Sequence, residues 1–403
     1  MSQSYVFRLR LLLGLVLAAA LAVPVAPAAA ISPGQLRSAL SAQIRKVPAS
    51  SGVYVMALDG DTPLYSRRAD RSLIPASVNK LFVTSTALLR FGASTRLDTT
   101  VVTDGEIDEN GVLRGNLYLV GGGDPTLSST RIAQLAADLD LTRVRGSVIG
   151  DESRFDALRG SAATGGRLDS EIGGQLGGLV ADRGYVRGGW QKRPAAVAAD
   201  ALRAALEKRD VPVSGRSKLG TAPEDAVELA TSSSVPMSEL IARTNIPSDN
   251  YYAETLLKNL GASFGDEGST DAGARVVKEQ MEELEIAPTV VDGSGLSRSD
   301  RTQPRQVVQL LATMAGGEEG GTFLDSLSTV GRTGTLANRM KGTPAAGRCH
   351  GKTGTLSNVS NIAGVCDTPA GQVAFAILMN NVSVWTAHSV QDRMVAAIAQ
   401  LAS

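Results

Sequence analysis

The chain has 403 residues, 43% of them hydrophobic, with 40 basic and 40 acidic side chains but only two histidines and two cysteines. That is enough apolar sequence for a sizeable core, in two domains or in one domain with a large insertion. The even charge balance argues against a nucleic-acid partner and against an acidic disordered tail, and so few His and Cys residues make a zinc centre built from them improbable.

At the start of the chain, Arg8 and Arg10 precede the apolar run "LLLGLVLAAALAV", and "APAAA" offers small residues for cleavage after Ala30. This pattern predicts a secretory signal peptide over 1–30. A retained membrane anchor is the weaker reading, because the run is short and ends in Pro24 and Pro27. Without these residues the count is 38 basic against 40 acidic. No cysteine lies near the cleavage point to carry a lipid, and no later segment is long and apolar enough to span a bilayer. The expected product is exported and soluble.

Next, "SPGQLRSALSAQIRKV" has the pattern of an amphipathic helix, and "SGVYVMALDG" with "TPLYSRRA" that of a hairpin around a Gly-Asp turn. The stretch "PASVNKLFVTSTALLRF" then predicts a helix with one buried face, started by Pro75. Ser77 and Lys80 fall three apart at its head and therefore on one side. Alone, this S-x-x-K string is common, and a capping serine beside a solvated lysine accounts for it. From Leu97 short strand-like runs alternate with Gly and Asp, and the stretch from Gly160 to Gly184 is so rich in glycine that it reads as a loop or weakly ordered connection. "RPAAVAADALRAALEKRD" and "VPMSELIARTN" return to helix. The last third runs helix, turn-rich loop ("VVDGSGLSRSDRTQP"), helix, three strands from Cys349 onward and a closing helix. Strands at both ends of the chain suggest one antiparallel sheet assembled from both. We therefore expect a catalytic unit of 31–96 plus 228–403, interrupted by a strand-rich insertion over 97–227.

Two further strings change the reading of Ser77. "IPSDNYYAETLLK" places Ser248, Asp249 and Asn250 just before a helix, and "CHGKTGTLS" places Lys352, Thr353, Gly354 and Thr355 in a strand. S-x-x-K, S-D-N and K-T-G in this order form the set used by penicillin-binding proteins and class A β-lactamases. Each residue has a chemical reason. A serine hydroxyl needs a base. With only His350 and His388 available for a Ser-His-Asp triad, that base is better sought in a lysine. Lys80 serves if burial, and a second positive charge at Lys352, lower its pKa. Ser248 can relay a proton to a leaving amine, and Asn250 can hold a substrate amide. Lys352, Thr353 and Thr355 can hold a terminal carboxylate, while Gly354 lets the strand come close. The N–H groups of Ser77 and Thr355 would form the oxyanion hole. By contrast, "AAGRCHGKTG" lacks the first glycine of a phosphate-binding loop, since Ala346 stands there. "VGGGDPT" reads as a tight turn, and His388 as an ordinary helix residue.

With these motifs, and with "GNLYLVGGGDPTLS", "DGSGLSRSDRTQP" and "GRTGTLANRMKGTPAAGRCHGKTGTL", the sequence resembles the class C low-molecular-mass penicillin-binding proteins. These are D-alanyl-D-alanine carboxypeptidases/endopeptidases of the penicillin-binding protein 4 type. The resemblance spans the mature chain. It implies an α+β fold, the penicillin-binding-protein/serine β-lactamase-like transpeptidase domain: an antiparallel sheet flanked by helices, with an inserted region. It also implies cleavage of D-Ala-D-Ala ends and cross-links of peptidoglycan stem peptides through an acyl-serine, with no metal or cofactor, and acylation by β-lactams. Ser77, Lys80, Ser248, Asn250 and Lys352 match the family's catalytic positions. A pocket for the third stem residue would draw on Leu296, Arg298, Ser357 and Asp151 or Asp156. The 171 positions between Ser77 and Ser248 are short for the family. A serine β-lactamase is the runner-up, disfavoured because no E-x-x-L-N string follows Ser248. A catalytically inactive cell-wall-binding homologue is a third reading, at odds with the intact motifs.

Cys349 opens the K-T-G strand and Cys366 ends the next strand-like run. A turn near 356–360 would bring them to facing positions of one antiparallel ladder, within bridging range. In an exported protein a disulfide is then expected. The alternative is two buried thiols.

Overall fold

The structure is a computed structural model that describes residues 30–402, so the expected leader lies, except for Ala30, outside the described residues. Helix α1 (Pro33–Ile44) begins where Ser32 and Gln35 close a capping box, and it buries Leu36, Leu40 and Ile44 along one face. Strands β1 (Ser51–Ala57) and β2 (Thr62–Arg67) form the hairpin, with Gly60 and Asp61 at positive φ in its turn. Helix α2 (Lys80–Phe91) follows. It starts three residues later than the S-x-x-K pattern suggests, because Ala76–Asn79 form a tighter 3₁₀ turn.

The inserted region contains β3 (Asp98–Thr103), β4 (Leu117–Val120), α3 (Ser129–Asp138), β5 (Val148–Asp151), α4 (Pro194–Glu207), β6 (Lys218–Leu219) and β7 (Val227–Ser233). Its strands make a five-stranded sheet in the order β6-β5-β4-β3-β7. Leu119 and Val148 of the sheet join Ile132 of α3 and Leu202 of α4 in an apolar cluster separate from the rest of the core. Strand β7 pairs antiparallel with β3 through to Ser233↔Asp98. We therefore place the chain's return to the outer unit after Ser233, somewhat beyond the 227/228 boundary drawn from sequence.

The outer unit resumes with α5 (Met237–Asn245), α6 (Asn250–Phe264), α7 (Thr270–Glu283) and α8 (Pro304–Gly316). It then adds β8 (Ser328–Thr329), β9 (Cys349–Leu356), β10 (Val359–Thr368), β11 (Gly371–Asn380) and α9 (Val384–Ile398). Its six strands run β8-β9-β10-β11-β1-β2, so both ends of the chain contribute to one antiparallel sheet. The sheet is buried on both faces, and β11 shows why the sequence allows this. Val373, Phe375, Ile377 and Met379 face the core under α1 and α9, while Ala374, Ala376 and Leu378 face the core shared with α2, α6 and α8. The result is the α+β architecture expected from sequence.

The glycine-rich stretch departs from its reading as a weakly ordered connection. It has little regular structure, but Ile172 and Leu176 are buried in the main core. A Cβ on Gly174 would lie 2.4 Å from the Tyr251 ring, so the backbone runs directly against α6. Glycine removes the periodicity that marks packed segments and at the same time permits this close approach.

Cys349 and Cys366 face each other across β9 and β10 and are joined by a disulfide, 17 positions apart in sequence. A loop of about this size contributes roughly 3 kcal/mol through the unfolded state. Cys366→Ser should lower unfolding stability in denaturant by that order, and non-reducing peptide mapping should recover the linked pair. Two freely alkylated cysteines in unreduced, denatured protein would contradict the bridge.

Candidate active site

The site lies where the 3₁₀ turn before α2, the loop before α6 and the strand β9 converge. The turn is set by tertiary contacts. Ala76 takes φ 48°, a strained value for a residue with a side chain. Asn361 of β10 donates to the carbonyls of Ile74 and Pro75 at 3.0 and 2.7 Å, which pins the turn to the sheet. Ser77 remains half-buried while its neighbours Ala76, Val78 and Asn79 are buried. Gly354 of β9 passes so close that a Cβ there would lie 2.9 Å from the Ser77 nitrogen and 2.6 Å from the Pro75 carbonyl oxygen. A side chain at this position would push the strand off the turn. β8 pairs only with His350 and Gly351, so it leaves the Lys352–Leu356 edge of β9 uncovered by a strand.

Lys80 is fully buried. Its Nζ donates to Ser77 Oγ at 3.0 Å, Asn250 Oδ1 at 2.7 Å and the Ser294 carbonyl at 2.5 Å. An ammonium has three protons, and all three are taken. A neutral amine has two protons and a lone pair. Asn250 Oδ1 and the Ser294 carbonyl can only accept, so they retain the two protons and the lone pair falls toward the Ser77 hydroxyl, which can donate. This geometry suits a base for Ser77.

Ser248 stands at φ 63°, a second strained residue beside the site. Its hydroxyl accepts from Lys352 Nζ at 2.8 Å. Lys352 is also fully buried, and it donates to the Thr353 carbonyl at 2.8 Å. Between Ser248 and Asn250, Asp249 caps α6 through the Tyr252 N–H and pairs with Arg183 of the insertion at 2.6 Å. The Asn250 amide donates to the Glu171 carbonyl at 2.7 Å, which brings the glycine-rich stretch to the edge of the site.

Burial lowers Lys80 to about 8, against an opposing pull from Asp292 and Glu254. Burial also pushes Lys352 well below the usual lysine range, and the Lys80 charge adds to that push. From the sequence, burial and the Lys352 charge are both expected to lower Lys80. In the structure burial leads in both lysines, and the repulsion between their charges, which is mutual, adds to the lowering of Lys352.

Ser77, Lys80, Ser248, Asn250 and Lys352 therefore meet in one cluster. Thr353 turns its hydroxyl to Thr335 at 2.8 Å, and Thr355 is exposed. Of the pocket residues suggested for a third stem residue, Arg298 donates to the Ser357 carbonyl at 2.8 Å. The two acids are committed elsewhere. Asp151 accepts from the Ser153 and Ala222 backbone, and Asp156 pairs with buried Lys258 at 2.6 Å. Sequence reasoning left out Asn361, Ser294, Glu254 and Asp292. For Glu254 a signal existed: it lies one helical turn beyond Asn250, inside the apolar run of "YYAETLL". Among the described residues no cluster of His, Cys, Asp or Glu is placed to hold a metal ion.

Residues 36–187 and 174–401 match the D-Ala-D-Ala carboxypeptidase 3 (S13) family. The chain is 31% identical to the D-alanyl-D-alanine carboxypeptidase of Actinomadura sp. (strain R39), with 88% of this chain and 82% of the relative covered. That alignment spans 441 residues, more than this chain possesses, so the relative carries segments with no counterpart here. Carboxypeptidase DacB of Mycolicibacterium smegmatis is 29% identical, with 80% and 75% covered. Among solved structures, penicillin binding protein 4 of Haemophilus influenzae shares the fold with a TM-score of 0.77 at 21% identity, over 87% of this chain and 98% of that one.

Proposed function

The chain belongs to the D-Ala-D-Ala carboxypeptidase 3 (S13) family, and from that premise we propose that it is an exported serine D-Ala-D-Ala carboxypeptidase and DD-endopeptidase, acting on peptidoglycan stem peptides and acylated by penicillins. The observation that carries this reading is the saturated Lys80 ammonium held between Ser77, Asn250 and Ser294. Export rests on the signal-like leader, and no helix among the described residues is long and apolar enough to cross a membrane.

In the proposed reaction the substrate lies along the open edge of β9 with its terminal carboxylate near Lys352, Thr353 and Thr355. That carboxylate favours the charged form of Lys352, and the charge in turn favours loss of the proton from Lys80. Neutral Lys80 takes the Ser77 proton as Oγ attacks the carbonyl carbon of the penultimate D-alanine. The N–H groups of Ser77 and Thr355 receive the developing oxyanion. Lys80 returns the proton, relayed by Ser248, to the departing D-alanine amine. Water then releases the acyl group from Ser77.

Labelling with a fluorescent penicillin tests the reading: a stable covalent band is expected, and no band would leave only a wall-binding role. An uncharged fluorophosphonate, which does not depend on Lys352, reads Lys80 separately. Only the neutral amine accepts the hydroxyl proton, so the rate should rise about tenfold per pH unit in acid and level off above a midpoint near 8. A rate that is flat from about pH 6 to about pH 9 would remove Lys80 as the base.

A further inference from the structure

Beside Lys80, the loop Asp292–Asp300 brings two carboxyl groups against a third from α6. Asp292, Asp300 and Glu254 are all fully buried. They are held mainly by backbone N–H groups. Asp292 accepts from Gly295 at 2.6 Å through Oδ1 and from Ser297 at 2.7 Å through Oδ2. Asp300 accepts from Val291 at 2.7 Å, and Glu254 from Ser294 at 2.9 Å. Glu254 Oε2 and Asp300 Oδ2 have no hydrogen-bond partner among the described residues.

One peptide group links this cluster to the base. The carbonyl of the Ser294–Gly295 peptide accepts from Lys80 Nζ, and the N–H of the same peptide donates to Asp292. Hydrogen bonds at both ends of an amide polarise it in the same sense and strengthen one another. The peptide cannot slide. Gly295 stands at φ 80°, and a Cβ there would lie 2.1 Å from the Ala76 carbonyl oxygen and 3.0 Å from the Ser77 nitrogen. Asn79, the residue before Lys80, also donates to the Asp292 carbonyl at 2.7 Å.

Resting on the acyl-serine reading above, we propose that Asp292 is a positioning residue for Lys80. Its carboxylate grips the Ser294–Gly295 peptide by the N–H, and that peptide grips the ammonium form of Lys80 by the carbonyl. Three carboxyls packed together without a cation of their own cannot all ionise. Burial raises Asp292 as well, but a backbone donor on each oxygen opposes that rise, and we assign the charge to it. Burial and that charge push Asp300 up to about 9, so it stays protonated at neutral pH, and burial pushes Glu254 up to about 7. The titratable groups around Lys80 are then Asp249, which caps α6, Glu254 within α6, Asp292 and Asp300 from the loop, and Lys352 from β9. Asp292 opposes burial: it keeps Lys80 protonated at rest, until substrate charges Lys352.

The test is the pH dependence of the reaction of Ser77 with the uncharged fluorophosphonate, in full-length protein whose fold is checked by circular dichroism. Asp292→Asn keeps an acceptor for the Gly295 N–H and removes the charge, so the midpoint should fall by about one pH unit. Asp300→Asn replaces a neutral group with a neutral group and should leave the midpoint in place. An unmoved midpoint in folded Asp292→Asn, or an equal fall in Asp300→Asn, would overturn the proposal. Should Asp292→Asn not fold, Glu254→Gln and Asp300→Asn decide. A small fall is expected in the first and none in the second, and a fall in Asp300→Asn as large as in Glu254→Gln would put the charge on the wrong carboxyl. Penicillin labelling of the wild type separates the two readings. Without a label the functional reading fails; with a label and an unmoved midpoint only this inference fails.

Discussion

Ser77→Ala protein is expected to take up no penicillin, and its release of D-alanine should fall by about 10⁴-fold or more. The effect should be this large because the hydroxyl is the reacting atom. The neighbouring groups that remain, Asn250, Lys352 and the edge of β9, bind and orient but cannot form the ester. The substitution should leave stability nearly unchanged. Ser77 is only half-buried, its hydroxyl contacts the Lys80 ammonium, and Lys80 keeps Asn250 Oδ1 and the Ser294 carbonyl as partners. Intact-mass analysis after penicillin treatment should show one adduct in the wild type, mapping to the Ser77 peptide. An adduct of the same mass on the alanine variant would sink the assignment.

The second large effect separates the two lysines. Lys80→Arg should slow acylation by more than about 10³-fold, because a guanidinium cannot give up a proton near neutral pH. The longer side chain also has no room, since Lys80 is fully enclosed and in contact with three oxygens. Lys352→Arg keeps a charge for the substrate carboxylate, and acylation should stay within about 30-fold of wild type. The rates are to be compared at one pH with both variants shown to be folded. Equal losses would mean that the division of labour between Lys80 and Lys352 is wrong.

Much of this site was legible because its chemistry sits at the ends of well-patterned elements. The Ser77 turn precedes a helix with a clear apolar face, Ser248–Asn250 precede another, and Lys352–Thr355 lie in the first of three strands whose alternation also aligned Cys349 with Cys366. What was not legible depends on contacts made across the fold. Nothing in "IPASVNK" signals that Ala76 takes a positive φ or that Ser77 leaves the helix for a tighter turn; Asn361, nearly three hundred residues away, imposes it. The stretch from Gly160 to Gly184 has no periodicity to read, yet it packs on Tyr251 and reaches Asn250 through Glu171. That burial leads over charge repulsion in both lysines was not legible either, because composition and spacing do not tell how deeply each side chain is enclosed. Glu254 is visible as an acid within an apolar run, whereas Asp292 and Asp300 sit in a turn-rich loop where acids are ordinary, and only the fold brings α6 and the 292–300 loop together.

The most direct measurement is D-alanine release from a stem pentapeptide ending in D-Ala-D-Ala, followed with and without prior treatment by penicillin. One D-alanine per peptide with multiple turnover is expected, with no release from the peptide ending in D-Ala-L-Ala and loss of activity in proportion to penicillin bound at Ser77. Rapid repeated hydrolysis of penicillin without any release of D-alanine would contradict this reading and make the protein a β-lactamase.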